Sequence, residues 1–340
     1  MIAGAGAMGA SVAYHLALLG ARDVVLADRA EVASGATGKA MGGVRQQFST
    51  AAEVRLAQAS IHFFEALGLP LFRQVGYVFV ATTDTGLAEL RARMRVQRAL
   101  GVPVESVRVP AVLRADDVRG AVACWTDGLA DPPAVTRELV RRAVEHGVVL
   151  REGIDARELD RDVLVVCAGP HSGELAPLPV RPLRRQLLET TPLEAPDSLP
   201  MVVEHETGFH FRRSLAGGSI VIAMADAEPR WGEGTEVDDS VLDDRLERLV
   251  HRYPAAVGVG VERAWAGLYD MTPDAHPIIG PVGPALYAVC GFSGHGFMQS
   301  PAVGRAVAEE LLLGRSSFDL EPYRLERFAA GAVVPERVVL

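Results

Sequence analysis

The pattern Gly4-x-Gly6-x-x-Gly9 lies between a short apolar run, Met1-Ile2-Ala3, and a stretch of helical character from Ala10 to Leu19. Glycine makes up 34 of the 340 residues, so three glycines at fixed offsets carry little weight alone. Their setting carries the argument. A strand precedes them, a helix follows with Gly20 as its stop, and the buried run Asp23 to Ala27 ends in Asp28, 19 residues beyond Gly9. In such a unit Gly4 permits the tight turn, Gly6 lets the backbone approach a pyrophosphate, and Gly9 lets the helix press on its strand. Ala7 and Met8 complete the turn at the helix N-terminus, where free N–H groups favour negative charge. Asp28 stands where a ribose would offer hydroxyls. The motif predicts a bound dinucleotide without separating FAD from NAD(P). Arg29 beside Asp28 is read either as a 2′-phosphate contact or as a surface charge. The opening strand is short for a central parallel strand, so the reading expects either a few further residues upstream or an unusually frayed strand.

The rest of the chain alternates in kind. Residues 33–50 form a loop of small residues, followed by a helix at about 51–67 and strand-like runs in 73–82. A charged amphipathic helix is expected at 84–100, further helices at about 133–147 and 239–252, and strands at 162–166, 208–212, 219–224 and 286–290. Ser300 as N-cap, Pro301 in the first turn and Gly314 as stop predict a helix from 301 to 313. The Rossmann-like pieces are scattered, so two domains interleave. No repeat or low-complexity linker breaks the chain.

Charge and cysteine content narrow the function. With 34 basic and 43 acidic residues the net charge is −9, unsuited to nucleic acid or an anionic membrane surface. No apolar stretch reaches the ~18 residues of a membrane span. Three cysteines, Cys124, Cys167 and Cys290, make neither a disulfide scaffold nor a zinc site. No metal is expected, and a reducing cytoplasm fits. Lys39 is the only lysine. Ala33 and Ala40 stand where a phosphate-binding P-loop around it would need glycine and Ser or Thr.

Two further stretches carry chemistry. In Ser34-Gly-Ala-Thr37-Gly38 through Gly42-Gly43-Val44-Arg45, small residues let the backbone approach a cofactor, with hydroxyls at Ser34 and Thr37; a plain surface loop is the alternative. Near the C-terminus, residues 267–280 are followed by Cys290-Gly-Phe-Ser-Gly-His295-Gly-Phe-Met298. The clustered glycines beside a helix N-terminus make an electropositive nest that would face a developing anion.

Together GAGAMG (4–9), SGATG (34–38), MTPDAHPIIG (271–280) and GFSGHGF (291–297) resemble the FAD-dependent amine and amino-acid oxidoreductases. That family includes sarcosine oxidase, glycine oxidase, dimethylglycine dehydrogenase and D-amino-acid oxidase. The likeness covers essentially the whole chain and is greatest with sarcosine oxidase and the sarcosine oxidase β-subunit. It implies an α/β (α+β) fold: a Rossmann-type FAD-binding domain (1–68, 125–178 and 266–340) interleaved with a substrate domain built on a mixed β-sheet (69–124 and 179–265).

The resemblance further implies that Gly4, Gly6, Ala7, Met8 and Gly9 meet the pyrophosphate. Asp28 and Arg29 would lie at the ribose, with Ser34, Thr37, Gly38 and Gly43 along the phosphates and ribityl chain. Ala168 and Gly169 would lie near the adenine, and Gly294, His295, Gly296, Phe297 and Met298 at the pyrimidine end of the flavin. Arg45 would hold a substrate carboxylate, as an arginine fork suits. His210 would accept a hydrogen bond from the amine or deprotonate it, or else simply pack in its sheet. His276 and His295 are catalytic candidates by their place in the motifs. The implied reaction oxidises the C–N bond of a secondary or tertiary amine, or an amino acid, by hydride transfer to flavin N5; the imine then hydrolyses.

The departures matter as much. Gly267 replaces the cysteine that bonds covalently to flavin in some relatives, so FAD is expected to be non-covalent. Val221 and Met298 replace two lysines of monomeric sarcosine oxidases, one of which assists oxygen activation. The electron acceptor, O2 or a carrier, is thus open, as is a homo- or hetero-oligomeric state. The segment between Val149 and Val163 looks short by a small hairpin. An NAD(P)-linked dehydrogenase, and a flavin-bearing subunit or assembly factor of a larger complex, remain alternatives.

Overall fold

The computed structural model describes residues 1–336. Its first sheet has six strands in the order Ile278–Gly283, Leu286–Cys290, Leu164–Val166, Ile2–Ala3, Val25–Asp28 and Val149–Glu152. All neighbours are parallel except the first pair. The two-residue opening strand is central, bonded on one side to Val165 and Val166 and on the other to Leu26 and Ala27. The central strands are apolar because helices cover the sheet. Helix Ala7–Leu18 is buried on nearly all sides, since helices Pro132–Glu145 and Gly296–Leu313 both pack on it. Between Val149–Glu152 and Leu164–Val166 lies only a short 3-10 turn, Ala156–Glu158, and no hairpin.

The second sheet has eight strands: Val261–Met271, Arg181–Thr190, Ile220–Ala223, His210–Arg213, Met201–Glu204, Tyr77–Ala81, Gly120–Cys124 and Val104–Val107. Only Met201–Glu204 and Tyr77–Ala81 run parallel. Side chains alternate between its faces. Leu188, Phe209, Phe211, Ile220 and Ile222 point away from the first sheet and pack with Leu249 of helix Leu242–Arg252. Across the opposite face His210, Ala223, Leu187 and Trp265 stand in register on four adjacent strands. The expected boundary at 265/266 falls inside the long strand Val261–Met271, whose end leads directly back toward the first sheet. Three short strands, Gly43–Val44, Gly128–Ala130 and Phe72–Arg73, form a third sheet.

Two expectations need correction. The loop at 33–50 contains a short helix, Ala36–Lys39, as well as the strand at 43–44. The last long helix begins at Gly296, not at Pro301. Pro301 sits one turn inside it, where its missing N–H leaves the Phe297 carbonyl free; the Ser300 hydroxyl donates to that carbonyl at 2.9 Å. Ser300 thus repairs the ladder instead of capping it. Among the described residues no helix is long and apolar enough to cross a membrane.

Candidate active site

One cavity of about 550 Å³ lies where the two large sheets face each other. At one end are the glycine turn and Asp28; at the other are Arg185, His210, Tyr269 and Gly294. The turn is held by short-range bonds. Asp28 Oδ2 accepts the Ala5 N–H at 2.7 Å and Oδ1 that of Ala30 at 2.8 Å. Thr37 Oγ1 accepts the Ala7 N–H at 3.0 Å, which ties the Ala36–Lys39 helix to the start of Ala7–Leu18. A carboxylate has about four acceptor sites, so Asp28 retains capacity for a ligand hydroxyl.

Of the expected cofactor contacts, Gly4, Gly6, Ala7, Met8, Asp28, Arg29, Ser34, Thr37, Ala168, Gly169, Gly294, Gly296 and Phe297 line this cavity. Gly9, Gly38, Gly43, His295 and Met298 do not. Gly9 is a packing residue, since a methyl there would stand 1.8 Å from the Gly4 carbonyl oxygen. Gly38 and Gly43 likewise press on the Ala33 carbonyl and the Tyr77 hydroxyl. Arg29 is engaged by Glu174 at 3.0 and 3.3 Å, and that partner first of all raises its pKa. At the same rim His171, Glu174 and Glu233 bring ligand-capable atoms within 4.8 Å of one another, a cluster not foreseen in the sequence.

Three of the expected catalytic residues are not part of the cavity wall. Arg45 is 1% exposed and not part of the wall; its Nη1 donates to the Gln47 carbonyl at 2.5 Å and its guanidinium lies 4.1 Å from the Phe48 ring centre. His276 is buried elsewhere, its Nδ1 2.7 Å from Glu53 Oε1. His295 contributes the backbone turn before Gly296, while its ring packs edge-on to Phe48 at 5.1 Å.

His210 is the expected catalytic residue that does reach the wall. Its Nδ1 lies 2.7 Å from the Gly208 carbonyl and so carries the proton. That leaves Nε2 as an acceptor. Burial, with smaller help from the nearby Arg185 and Arg45 charges, pushes its pKa down to about 4 against the pull of the Gly208 carbonyl. The ring is therefore neutral at neutral pH. The unfolded chain takes up this proton first, so stability is lost as pH falls from about 6.5 to about 4, by on the order of 3 kcal/mol at the lower end. His210→Phe is expected to lose less melting temperature than the wild type between pH 7 and pH 5; equal losses would contradict a neutral buried imidazole.

Tyr269 and Asp270, missed in the sequence, complete this end together with Gly267 and Lys39. Tyr269 packs over Gly294, which has φ +94° and where a Cβ would stand 2.4 Å from the Tyr269 ring. Asp270 accepts the Gly291 N–H at 2.7 Å; burial raises its pKa to about 6 against the backbone donors around it. Gly267 pairs with Arg185 and also lines the cavity. A side chain at Gly267 would start 2.6 Å from Lys39 Cβ. Lys39 itself lies in the wall, and its carbonyl accepts the Trp265 indole N–H at 3.1 Å.

Comparison with known proteins decides the family. The profile of the FAD dependent oxidoreductase (DAO) family matches residues 1–310. The chain belongs to this family. It is 28% identical to FAD-dependent oxidoreductase domain-containing protein 1 of Bos taurus, over 100% of this chain and 86% of that protein. With mitochondrial sarcosine dehydrogenase of Mus musculus it shares 25% identity over 96% of this chain, which spans only 41% of that protein. The crystal structure of L-proline dehydrogenase from P. horikoshii superposes with a TM-score of 0.89 at 26% identity, covering 97% of each chain. The family membership makes FAD the cofactor.

Proposed function

We propose that this member of the FAD-dependent family oxidises the C–N bond of a small amine or amino acid, and that the cavity between the sheets holds both cofactor and substrate. The observation that carries this reading is the single cavity running from the glycine turn to His210 and Arg185. The cavity fits FAD: free N–H groups at the start of Ala7–Leu18, the Asp28 carboxylate, and the Ser34 and Thr37 hydroxyls are the donors and acceptors that a pyrophosphate and ribose require. Bound there, FAD supplies the acceptor for the hydride that leaves the carbon beside the substrate nitrogen.

The protein's own part is positioning and electrostatics. His210 Nε2 accepts a hydrogen bond from the substrate N–H and orients the nitrogen; with a pKa of about 4 it is too weak a base to hold that proton at neutral pH. The backbone of Gly294 to Phe297, at the N-terminus of Gly296–Leu313, favours negative charge at its end of the cavity and would suit a cofactor that becomes negative there. Gly267 offers no nucleophile, and Lys39 fills the space a side chain would need, so attachment of FAD is non-covalent. Acid precipitation is expected to leave a colourless pellet and a yellow supernatant.

The deciding experiment is anaerobic addition of sarcosine, dimethylglycine, glycine, proline and D-amino acids to the flavoprotein. At least one should bleach the flavin. Val221 is buried and outside the cavity wall, and Met298 is apolar, so reoxidation should be faster with a dye acceptor than with O2. A flavin that none of the panel reduces would refute this reading and favour a flavin-bearing subunit.

A further inference from the structure

Arg184 and Arg185 are consecutive on the strand Arg181–Thr190 and therefore point to opposite faces of the sheet. Arg184 is ion-paired: its Nη2 meets Asp226 at 3.0 Å and its Nη1 donates to the Glu236 carbonyl, although its Nε is buried without a partner. Arg185 faces the cavity. Among the described residues no carboxylate lies within ion-pairing distance of it. Its Nε is buried without a hydrogen-bond partner, and its one hydrogen bond is a long 3.4 Å contact to the adjacent Arg184 carbonyl.

A guanidinium in a partly dehydrated wall with an orphaned donor is costly unless an anion completes it. The surroundings leave room for one. Opposite Arg185 in register stands Gly267, which has no side chain, and the guanidinium carbon lies 5.2 Å from the Tyr269 ring centre. Two residues along the strand is Leu187, in register with Ala223 and then His210, so the acceptor Nε2 and the cationic fork share one face.

We propose that Arg185 anchors a carboxylate of the substrate, which makes the substrate class of this site an amino acid and not a simple amine. The inference rests on the reading of the cavity as an amine-oxidising site and deepens it. Arg185 replaces Arg45 in this role, because Arg45 lies outside the wall. The planar fork binds a carboxylate through two N–H groups, and Tyr269 holds the fork's plane from the side.

The test uses the purified flavoprotein with acetate, propionate and benzoate as probes, their amides as neutral counterparts, and the change in the flavin's visible spectrum as readout. Arg185→Gln should weaken carboxylate binding by about tenfold to a hundredfold. It should retain its flavin and leave the weak amide binding as it was, and Arg185→Lys should recover part of the loss. The assignment is overturned if the wild type binds no carboxylate, or if Arg185→Gln binds carboxylates undiminished. It is equally overturned if Arg185→Gln loses its flavin, which would make Arg185 a cofactor residue, or if Lys39→Gln and not Arg185→Gln abolishes binding. Amines without a carboxylate that bleach the flavin as readily as amino acids would leave the amine-oxidising reading standing and remove the anchor. Carboxylates bound through Arg185 in a protein whose flavin no amine or amino acid bleaches would do the reverse.

Discussion

Gly9→Ala is expected to yield a protein that purifies without flavin and melts well below the wild type even when both are compared as apoproteins. The added methyl would stand 1.8 Å from the Gly4 carbonyl oxygen, 3.1 Å from its carbonyl carbon and 3.3 Å from Cys167 Cβ. Two of these three atoms are backbone of the turn itself, so no side-chain rotation relieves the clash. Helix Ala7–Leu18 must move off the sheet, and it is wedged there by Gly296–Leu313, where a Cβ on Gly304 would stand 2.6 Å from Ser11 backbone. Overpacking of side chains alone costs about 1–3 kcal/mol; a backbone clash in the central layer should reach the top of that range. The same movement withdraws the helix N-terminus from the pyrophosphate position. Flavin content after gel filtration and thermal melting of the apoprotein measure the two effects separately. A variant that keeps stoichiometric flavin and the wild-type melting temperature would show that Gly9 does not hold the helix to its strand.

How far such a site can be read in advance depends on whether its geometry is local. The glycine turn, Asp28, Thr37 and the Gly294–Phe297 nest are set by residues close in sequence, and those motifs led to the cavity. Arg185 could not be found that way. Nothing distinguishes it from Arg184 until the ten-position pairing with Val261–Met271 shows which of the two faces the first sheet. Arg45, His276 and His295 lie outside the wall for the converse reason: adjacency to a cofactor motif fixes where the backbone goes, not where a long side chain or ring turns. His295 supplies a turn, and its ring goes to Phe48. Ser300 and Pro301 misled because a Ser-Pro pair also occurs one turn inside a helix when the hydroxyl can replace the missing backbone bond.

His276, outside the cavity wall, belongs to the second large expected effect. Glu53 is 1% exposed and joins three elements. Its Oε1 lies 2.7 Å from His276 Nδ1, its Oε2 accepts from Gln299 Nε2 near the start of Gly296–Leu313, and its own helix is capped by Thr50. Burial works against a charge on His276. The Glu53 bond, together with the Glu53, Asp274 and Glu336 charges, outweighs it and holds the His276 pKa above its usual value. Glu53→Ala would strand a buried imidazolium and a buried amide donor, at a cost of about 3–5 kcal/mol. Glu53→Gln keeps an acceptor for a neutral ring and should cost less. The sign with pH follows from the direction of the shift. A raised folded pKa means that the pair's contribution is complete below about 6.5 and fades as pH climbs through the folded value. The stability gap between wild type and Glu53→Ala, measured by denaturant unfolding, should therefore be larger at pH 6 than at pH 9. A gap that does not change with pH would mean that His276 is neutral in the fold and that the Glu53 contact is an uncharged hydrogen bond. Because the cluster is outside the cavity wall, Glu53→Gln should bind flavin and bleach with the same substrate as the wild type once folded, which separates its role in stability from the chemistry at Arg185 and His210.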